Sequence, residues 1–182
     1  IDGDHQDNDT TTVGIRAQDV ALHASDLSSI TAVAAAASIS AAFGIKAGVA
    51  VSVGVSLAEN HISNEVGAYI VNADGAGVST TGQVILDARS IADIDALTAA
   101  ASVAISGGGT AGIAVSGAGA VAKNVILTRS NAYIQESIVD SVGDISLNGF
   151  SDSAIDATVV AVSGAIAVGG NAGIGASGGC AV

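Results

Sequence analysis

The feature that most constrains this chain is an internal repeat, which aligns over long stretches without a gap. At one fixed offset Asn60 falls on Asn124, and the tripeptide Ala-Tyr-Ile at 68–70 falls on the same tripeptide at 132–134. Self-similarity at a fixed period is typical of architectures in which each unit buries its apolar surface only against its neighbours. The repeat therefore predicts a stack of similar units.

A third copy of the repeat follows the second at an offset that is shorter by three residues, which places Ser163 on Ser102. The three missing residues must fall between Ile134 and Gly143, and we expect a loop there. The predicted segments are 1–28, the acidic end of a preceding repeat, and then repeats at 29–92, 93–153 and 154–182, the last one truncated. Because the chain begins and ends inside a repeat, we expect it to belong to a longer protein.

Side chains alternate strictly within the apolar half of each repeat. One parity carries branched or glycine residues and the other carries small ones; in the second copy the sets are Ile113, Val115, Gly117, Gly119, Val121 and Val125 against Ala114, Ser116, Ala118, Ala120, Ala122 and Asn124. A period of two predicts a β-strand with one bulky and one small face. Such a strand can be covered on both faces, with close approach on the small one.

The polar half of each repeat, such as 83–89 and 131–136, mixes charged residues with β-formers, and we expect strands that face water on one side. The predicted fold is all-β, a parallel β-solenoid (β-helix) built from tandem repeats of about 61–64 residues. An array of long antiparallel strands is the alternative. At about 20 residues per turn, each repeat would form roughly three rungs. Asn60 and Asn124 would then form an amide ladder.

Charge and composition exclude some partners. The formal net charge is −12 with only five Lys and Arg, and this excludes nucleic acid, whose phosphates need basic side chains. The uncharged runs at 96–122 and 157–182 consist mainly of Ala, Ser, Gly and Val, and Gly107-Gly108-Gly109 interrupts the first of them. We therefore expect no membrane span in this segment.

One cluster of hard oxygen ligands stands near the start of the chain. Asp2, Asp4, Asp7 and Asp9 lie close together in sequence, at a spacing that lets several carboxylates converge on one ion. These residues predict a Ca²⁺ site, because calcium prefers carboxylate oxygens. The spacing is not that of an EF-hand loop, and a solvated acidic linker is the alternative.

Other motifs have simpler explanations. Residues 107–112 satisfy the glycine pattern of a dinucleotide-binding loop, but the equivalent turns of the other repeats lack it, so we predict a tight turn. His5, His23 and His61 do not recur between repeats and are predicted to be surface residues. The single cysteine, Cys180, is predicted to be a small buried residue. No catalytic serine motif is present.

The Ala-, Val- and Ser-rich strands, the turn residues Ala47-Gly48, and the positions of Asn60 and Tyr69 resemble the repeat regions of giant secreted bacterial surface proteins. These are the filamentous-haemagglutinin-like and leukotoxin-type adhesins. The resemblance implies a parallel β-helix stalk, export to the cell surface, and a role in adhesion or biofilm matrix.

We therefore expect a structural protein: the extracellular shaft of a bacterial surface fibre or adhesin, with a host or matrix ligand that the sequence does not identify. A self-assembling extracellular filament subunit is the alternative, since exposed strand edges pair readily with another chain. A β-helix enzyme that degrades polysaccharides would need a cluster of acids on one exposed face. The first two apolar segments carry only Lys46 and Asp95, and we predict no enzymatic activity.

Overall fold

The computed structural model describes residues 1–3 and 14–182, and in this part of the chain every regular element is a β-strand. Five strands are 25 residues long, three are short, and the last has ten residues. The strands are β1 (Ile15–Ala17), β2 (Val20–Gly44), β3 (Ala47–Val71), β4 (Val78–Thr80), β5 (Val84–Gly108), β6 (Ala111–Gln135), β7 (Val139–Ser141), β8 (Ile145–Gly169) and β9 (Ala172–Ala181). The prediction of an all-β fold is confirmed.

The strands form three parallel sheets of three strands each, in the orders β1-β4-β7, β2-β5-β8 and β3-β6-β9. Each sheet thus takes one strand from each of three successive coils: β1 to β3, β4 to β6, and β7 to β9. Equivalent residues of neighbouring repeats lie side by side, as Ala111 and Ala172 do in β6 and β9. This is the predicted parallel solenoid.

The size of the coil differs from the prediction. One repeat forms one complete coil, so the expectation of three rungs per repeat is wrong. The reason is that the alternating pattern continues through 25 residues without a turn. The antiparallel array is also wrong, because consecutive long strands such as β2 and β3 lie in different sheets and are joined by an arch.

Differences in repeat length are confined to the connections between long and short strands. Six residues separate β3 from β4, whereas three separate β6 from β7. The predicted loss of three residues therefore falls in this loop. Its first residue, Asn72 in one coil and Glu136 in the next, has a positive φ angle of 53° and 47° respectively. The motif at 107–112 forms the tight turn between β5 and β6, as predicted.

The chain divides into two compact units. The first unit contains Ile1–Ser28, Ile62–Asp93 and Ile126–Ala154. Its core is made of ordinary apolar side chains from all three sheets, and its outer strand positions are mostly polar. The fully or nearly fully buried members are Val20, Val66, Ala68, Ile70, Val78, Val84, Leu86 and Ala88. This unit follows the usual rule that large apolar side chains are inside.

The second unit contains Ser29–His61, Ile94–Val125 and Ile155–Val182, and its interior is made mainly of small residues, with Ile94 as a larger member. Ala104 and Ala114 are fully buried, and Ser102 Oγ lies 2.6 Å from Ser116 Oγ across the gap between two sheets. Serine side chains can meet in this way only if the sheets are closer than the roughly 10 Å typical of packed sheets. The small face is therefore the covered one.

The branched face of the second unit is not covered by any other part of the described chain. Val49, Val51, Val53, Val55 and Leu57 are 58–67% exposed. The sequence indicated that both faces of such a strand can be covered, but the structure covers only the small face.

We predict that Gly112→Ala destabilises the fold, because a Cβ at this position would lie 2.5 Å from the carbonyl oxygen of Val168. Overpacking of this kind costs roughly 1–3 kcal/mol. Urea unfolding followed by circular dichroism measures the loss. Gly164→Ala is the matched control, since its Cβ would have no heavy atom within 4 Å; equal losses in both variants would contradict the close approach.

Candidate functional site

Side chains of equivalent positions interact from coil to coil. Asn60 Nδ2 donates a hydrogen bond of 2.8 Å to Asn124 Oδ1, so the predicted amide ladder is confirmed. The rings of Tyr69 and Tyr133 stack with centroids 5.3 Å apart and an interplanar angle of 17°. Parallel pairing in register produces both contacts, because it places each side chain beside its counterpart.

Charged side chains on the outer surface pair by the same rule. Lys123 Nζ donates to Glu59 Oε1 at 2.8 Å, and Arg129 Nη1 lies 3.9 Å from Glu65 Oε1. The hydrogen bond with Lys123, followed by its charge, lowers the pKa of Glu59, and the same bond raises the pKa of Lys123. Both groups of the first pair are exposed, so the interaction is screened by salt and serves mainly to align neighbouring coils.

One polar network lies in the first unit between β2 and β3. Asn64 Nδ2 donates to Asp26 Oδ2 and to Ser28 Oγ, each at 2.6 Å, and Ser28 Oγ donates to the same carboxylate at 2.9 Å. The carboxylate of Asp26 is thus held by two neutral donors. Such an arrangement of one acid and two donors satisfies a polar group that is partly removed from water.

A shallow groove of about 270 Å³ on the outer face of β2, β5 and β8 brings together two acids. Asp95 and Asp156 occupy equivalent positions of β5 and β8 and line it with Thr31, Leu97 and Thr158. This pair was not among the sites predicted from the sequence. The signal was present, because the alignment of the third repeat on the second places Asp156 on Asp95.

The predicted calcium ligands are only partly within the described residues. Asp2 forms a β-bridge with Val71, and its Oδ1 accepts a hydrogen bond of 3.1 Å from Asn72 Nδ2. Asp4, Asp7 and Asp9 lie outside the described residues. Within residues 1–3 and 14–182, no group of three or more His, Cys, Asp or Glu side chains could hold a metal ion. The calcium site stays a prediction.

The histidines and the cysteine are now placed, with one exception. His23 and His61 are on outward positions, as predicted, and His23 Nδ1 lies 3.7 Å from Asp87 Oδ2. His5 lies outside the described residues. The prediction of a buried Cys180 is wrong, since this side chain is exposed. Every residue of β9 is exposed, and Cys180 has the same parity as Ile174.

One extensive uncharged surface is the face of β3, β6 and β9 that points away from the interior of the second unit. We call it the outer apolar face. It consists of every second residue from 47 to 57, from 111 to 121 and from 172 to 182, and none of them is charged. Exposed apolar patches of this extent are typical of interaction surfaces.

No family model, curated protein or solved structure matches this chain. The described part of the chain also contains no helix that could serve as a membrane span.

We predict that Asn124→Ala lowers the free energy of unfolding by about 1–3 kcal/mol, because it leaves the partly buried amide of Asn60 without its partner. Adding Asn60→Ala should then cost much less than it does alone, with a coupling of about 0.5–3 kcal/mol. A double-mutant cycle by urea unfolding measures this. Asn131→Ala, which removes only a solvent-exposed hydrogen bond, is the control; additive losses at positions 60 and 124 would contradict the ladder.

We predict that Lys123→Gln raises the pKa of Glu59 towards its ordinary value, since the hydrogen bond and the positive charge are both lost. In the parent chain the pKa of Glu59 is lower in the folded state than in the unfolded state. The ion pair therefore stabilises the fold fully at pH values above the pKa that Glu59 has in the unfolded chain. The contribution is lost as the pH falls through the lower folded value. Carboxyl ¹³C NMR titration measures the pKa. Arg129→Gln should leave it unchanged, and an unchanged pKa in Lys123→Gln would contradict the ion pair.

Proposed function

We propose that this chain is a structural segment of an extracellular bacterial surface fibre or adhesin, in which stacked β-coils supply stiffness. The observation that carries the proposal is the register of the stack. Strands of 25 residues lie beside the equivalent strands of the neighbouring repeats. The chain repeats the same coil three times, so its equivalent residues serve to stack the coils rather than to form one specialised pocket.

The interactions between coils support a mechanical role. The long strands of the middle coil have neighbours on both edges, so their backbone groups are paired within the sheets. The amide ladder, the stacked tyrosines and the Lys123–Glu59 pair add side-chain contacts along the same direction. Separating two coils would break all of these contacts together, and this is the property that a shaft needs.

The coil size determines how such a shaft gains length. Each repeat adds one strand to each sheet, and neighbouring strands are about 4.8 Å apart. Length is therefore gained slowly, at one strand spacing per repeat. A long shaft of this kind requires many repeats, in agreement with the resemblance to giant secreted proteins.

A self-assembling filament subunit is the second candidate, and the exposed branched residues of the second unit favour it. A polysaccharide-degrading enzyme is the third, and the Asp95 and Asp156 pair favours it. Catalysis of glycoside hydrolysis needs one carboxyl group that is protonated at working pH and a site that grips the sugar. The groove has apolar and hydroxyl neighbours and no aromatic platform, so the structural role is the better supported.

We predict that aligned fibres of the purified chain give a reflection at about 4.7–4.8 Å along the long axis, because strands stack in that direction. Fibre diffraction or cryo-electron microscopy measures the spacing and its direction. Strands that lie parallel to the long axis would contradict the shaft. Gly112→Ala, which weakens the coil, is the control, and it should reduce the amount of fibre without changing the spacing.

A further inference from the structure

We propose that the outer apolar face is a self-association surface, on which a second copy of this chain packs face to face. In this arrangement Val53 and Val55 of β3 are seated on Gly178 and Cys180 of β9 in the other copy. The inference adds a lateral contact to the proposed shaft, which requires only stacking along the hydrogen-bond direction. It therefore stands or fails separately from the proposed function.

The first observation is that the face is too apolar to be left in water. Val53 and Val55 are 64% and 67% exposed, although they are in the middle of a long strand. Isolated exposed valines are ordinary, but a continuous set on three adjacent strands is typical of an interface. The nearest charged side chains at the same parity, Glu59 and Lys123, lie just beyond its end and pair with each other.

The second observation concerns glycines that the fold does not need. A Cβ at Gly112 would meet backbone atoms, so the close approach of the sheets explains that glycine. A Cβ at Gly119 or Gly178 would meet nothing within 4 Å, and one at Gly117 would meet only an atom 4.0 Å away. Glycine weakens a strand interior. These three positions therefore form a hollow that internal packing does not explain.

The third observation is that one chain carries both the hollow and a ridge, which is formed by Val53 and Val55 of β3. Val53, Gly117 and Gly178 form one row across the three strands, and Val55, Gly119 and Cys180 form the next, as the sheet order and register place them. A two-fold axis parallel to the strands along β6 keeps the position along each strand and exchanges β3 with β9. Val53 of each copy then lies over Gly178 of the other and Val55 lies over Cys180, while Gly117 and Gly119 of the two copies face each other across the axis.

The area of the face fits a dimer of modest strength. Eleven residues of strand on three strands cover about 500 Å² per copy, or about 1,000 Å² in the pair. This is close to the lower limit for a specific interface. Each further coil would add about 170 Å² per copy, so the association should strengthen steeply with the number of repeats.

A second copy fits this face better than a lipid surface does. A lipid surface is fluid and gives no reason for glycines at outward strand positions that internal packing does not require. The face itself carries no charge, so two copies can meet there without placing like charges in contact.

Sedimentation equilibrium over a range of concentrations tests the association. The parent chain should be a weak dimer with a dissociation constant in the micromolar range, and Val53→Glu should weaken it by at least about tenfold, because a buried unpaired charge is costly. Ile39→Glu is the matched control, since Ile39 is 79% exposed on β2, outside this face. A parent chain that stays monomeric in dilute solution, but whose fibres aligned from concentrated solution still give the axial spacing, would overturn the inference and leave the shaft intact.

A double variant separates loss of association from loss of folding. Gly119→Val with Gly178→Val should keep or raise the melting temperature, because a Cβ at either position would meet no heavy atom within 4 Å and valine favours strands. The same variant should lose dimerisation, because the hollow is filled. Dimerisation that survives it would overturn the proposed register.

Oxidation with copper phenanthroline tests the register directly. Val55→Cys should give a covalent dimer, because the introduced thiol would lie opposite Cys180 of the second copy, and two thiols lose two electrons and two protons to the oxidant as the disulfide forms. Val51→Cys, farther along the strand, is the control and should cross-link much more slowly. Equal rates would overturn the pairing.

Flotation of the parent chain with phosphatidylcholine vesicles, abolished by Val53→Glu, would overturn the proposed self-association in favour of a lipid surface.

Discussion

Backbone pairing between successive coils is the constraint on which the rest of this structure depends. Once a residue of β3 is hydrogen-bonded in register with its counterpart in β6, all side chains of the two strands are aligned in rows. The side-chain contacts between coils then depend on which residues share a row. Amides bond to amides, as Asn60 does to Asn124, and Tyr69 stacks on Tyr133. Rows of opposite charge arise only where the repeats differ, as at Glu59 and Lys123.

The register also explains where the repeats are free to vary. A change of one residue inside a long strand would exchange its inner and outer faces from that point onward. Changes of length are therefore found in the loops that join β3 to β4 and β6 to β7, where an added or lost residue does not shift the pairing of any strand. The left-handed residues Asn72 and Glu136 begin these loops at equivalent positions, so the chain leaves each long strand in the same way despite the different loop lengths.

Much of the fold could be predicted from the sequence, because the two repeat offsets and a period of two are properties of the residues themselves. The amide ladder followed from the first of these offsets. The coil size could not be obtained by borrowing a turn length from other solenoids, because it is set by the alternation of buried and outward positions that runs without a break from 84 to 106 in the folded chain. Cys180 is exposed because all residues of β9 are exposed at both parities, and the sequence alone does not show this. The meeting of Asp95 with Asp156 depends on which parity faces outward, and small and branched faces are both compatible with burial in sequence alone.

The interior of the second unit has a consequence for how this protein tolerates substitution. An ordinary core loses stability when a large side chain is shortened, because a cavity remains. Between these sheets most inward residues are alanine, serine and glycine, with Ile94 and Thr98 as larger exceptions, so there is little side-chain volume to remove. Enlargement is therefore the more damaging change there, whereas truncation costs mainly the hydrogen bond of a serine or the lower strand propensity of glycine. In a mutational scan the two units would consequently show opposite size preferences at their inward positions, although they are built from the same strands.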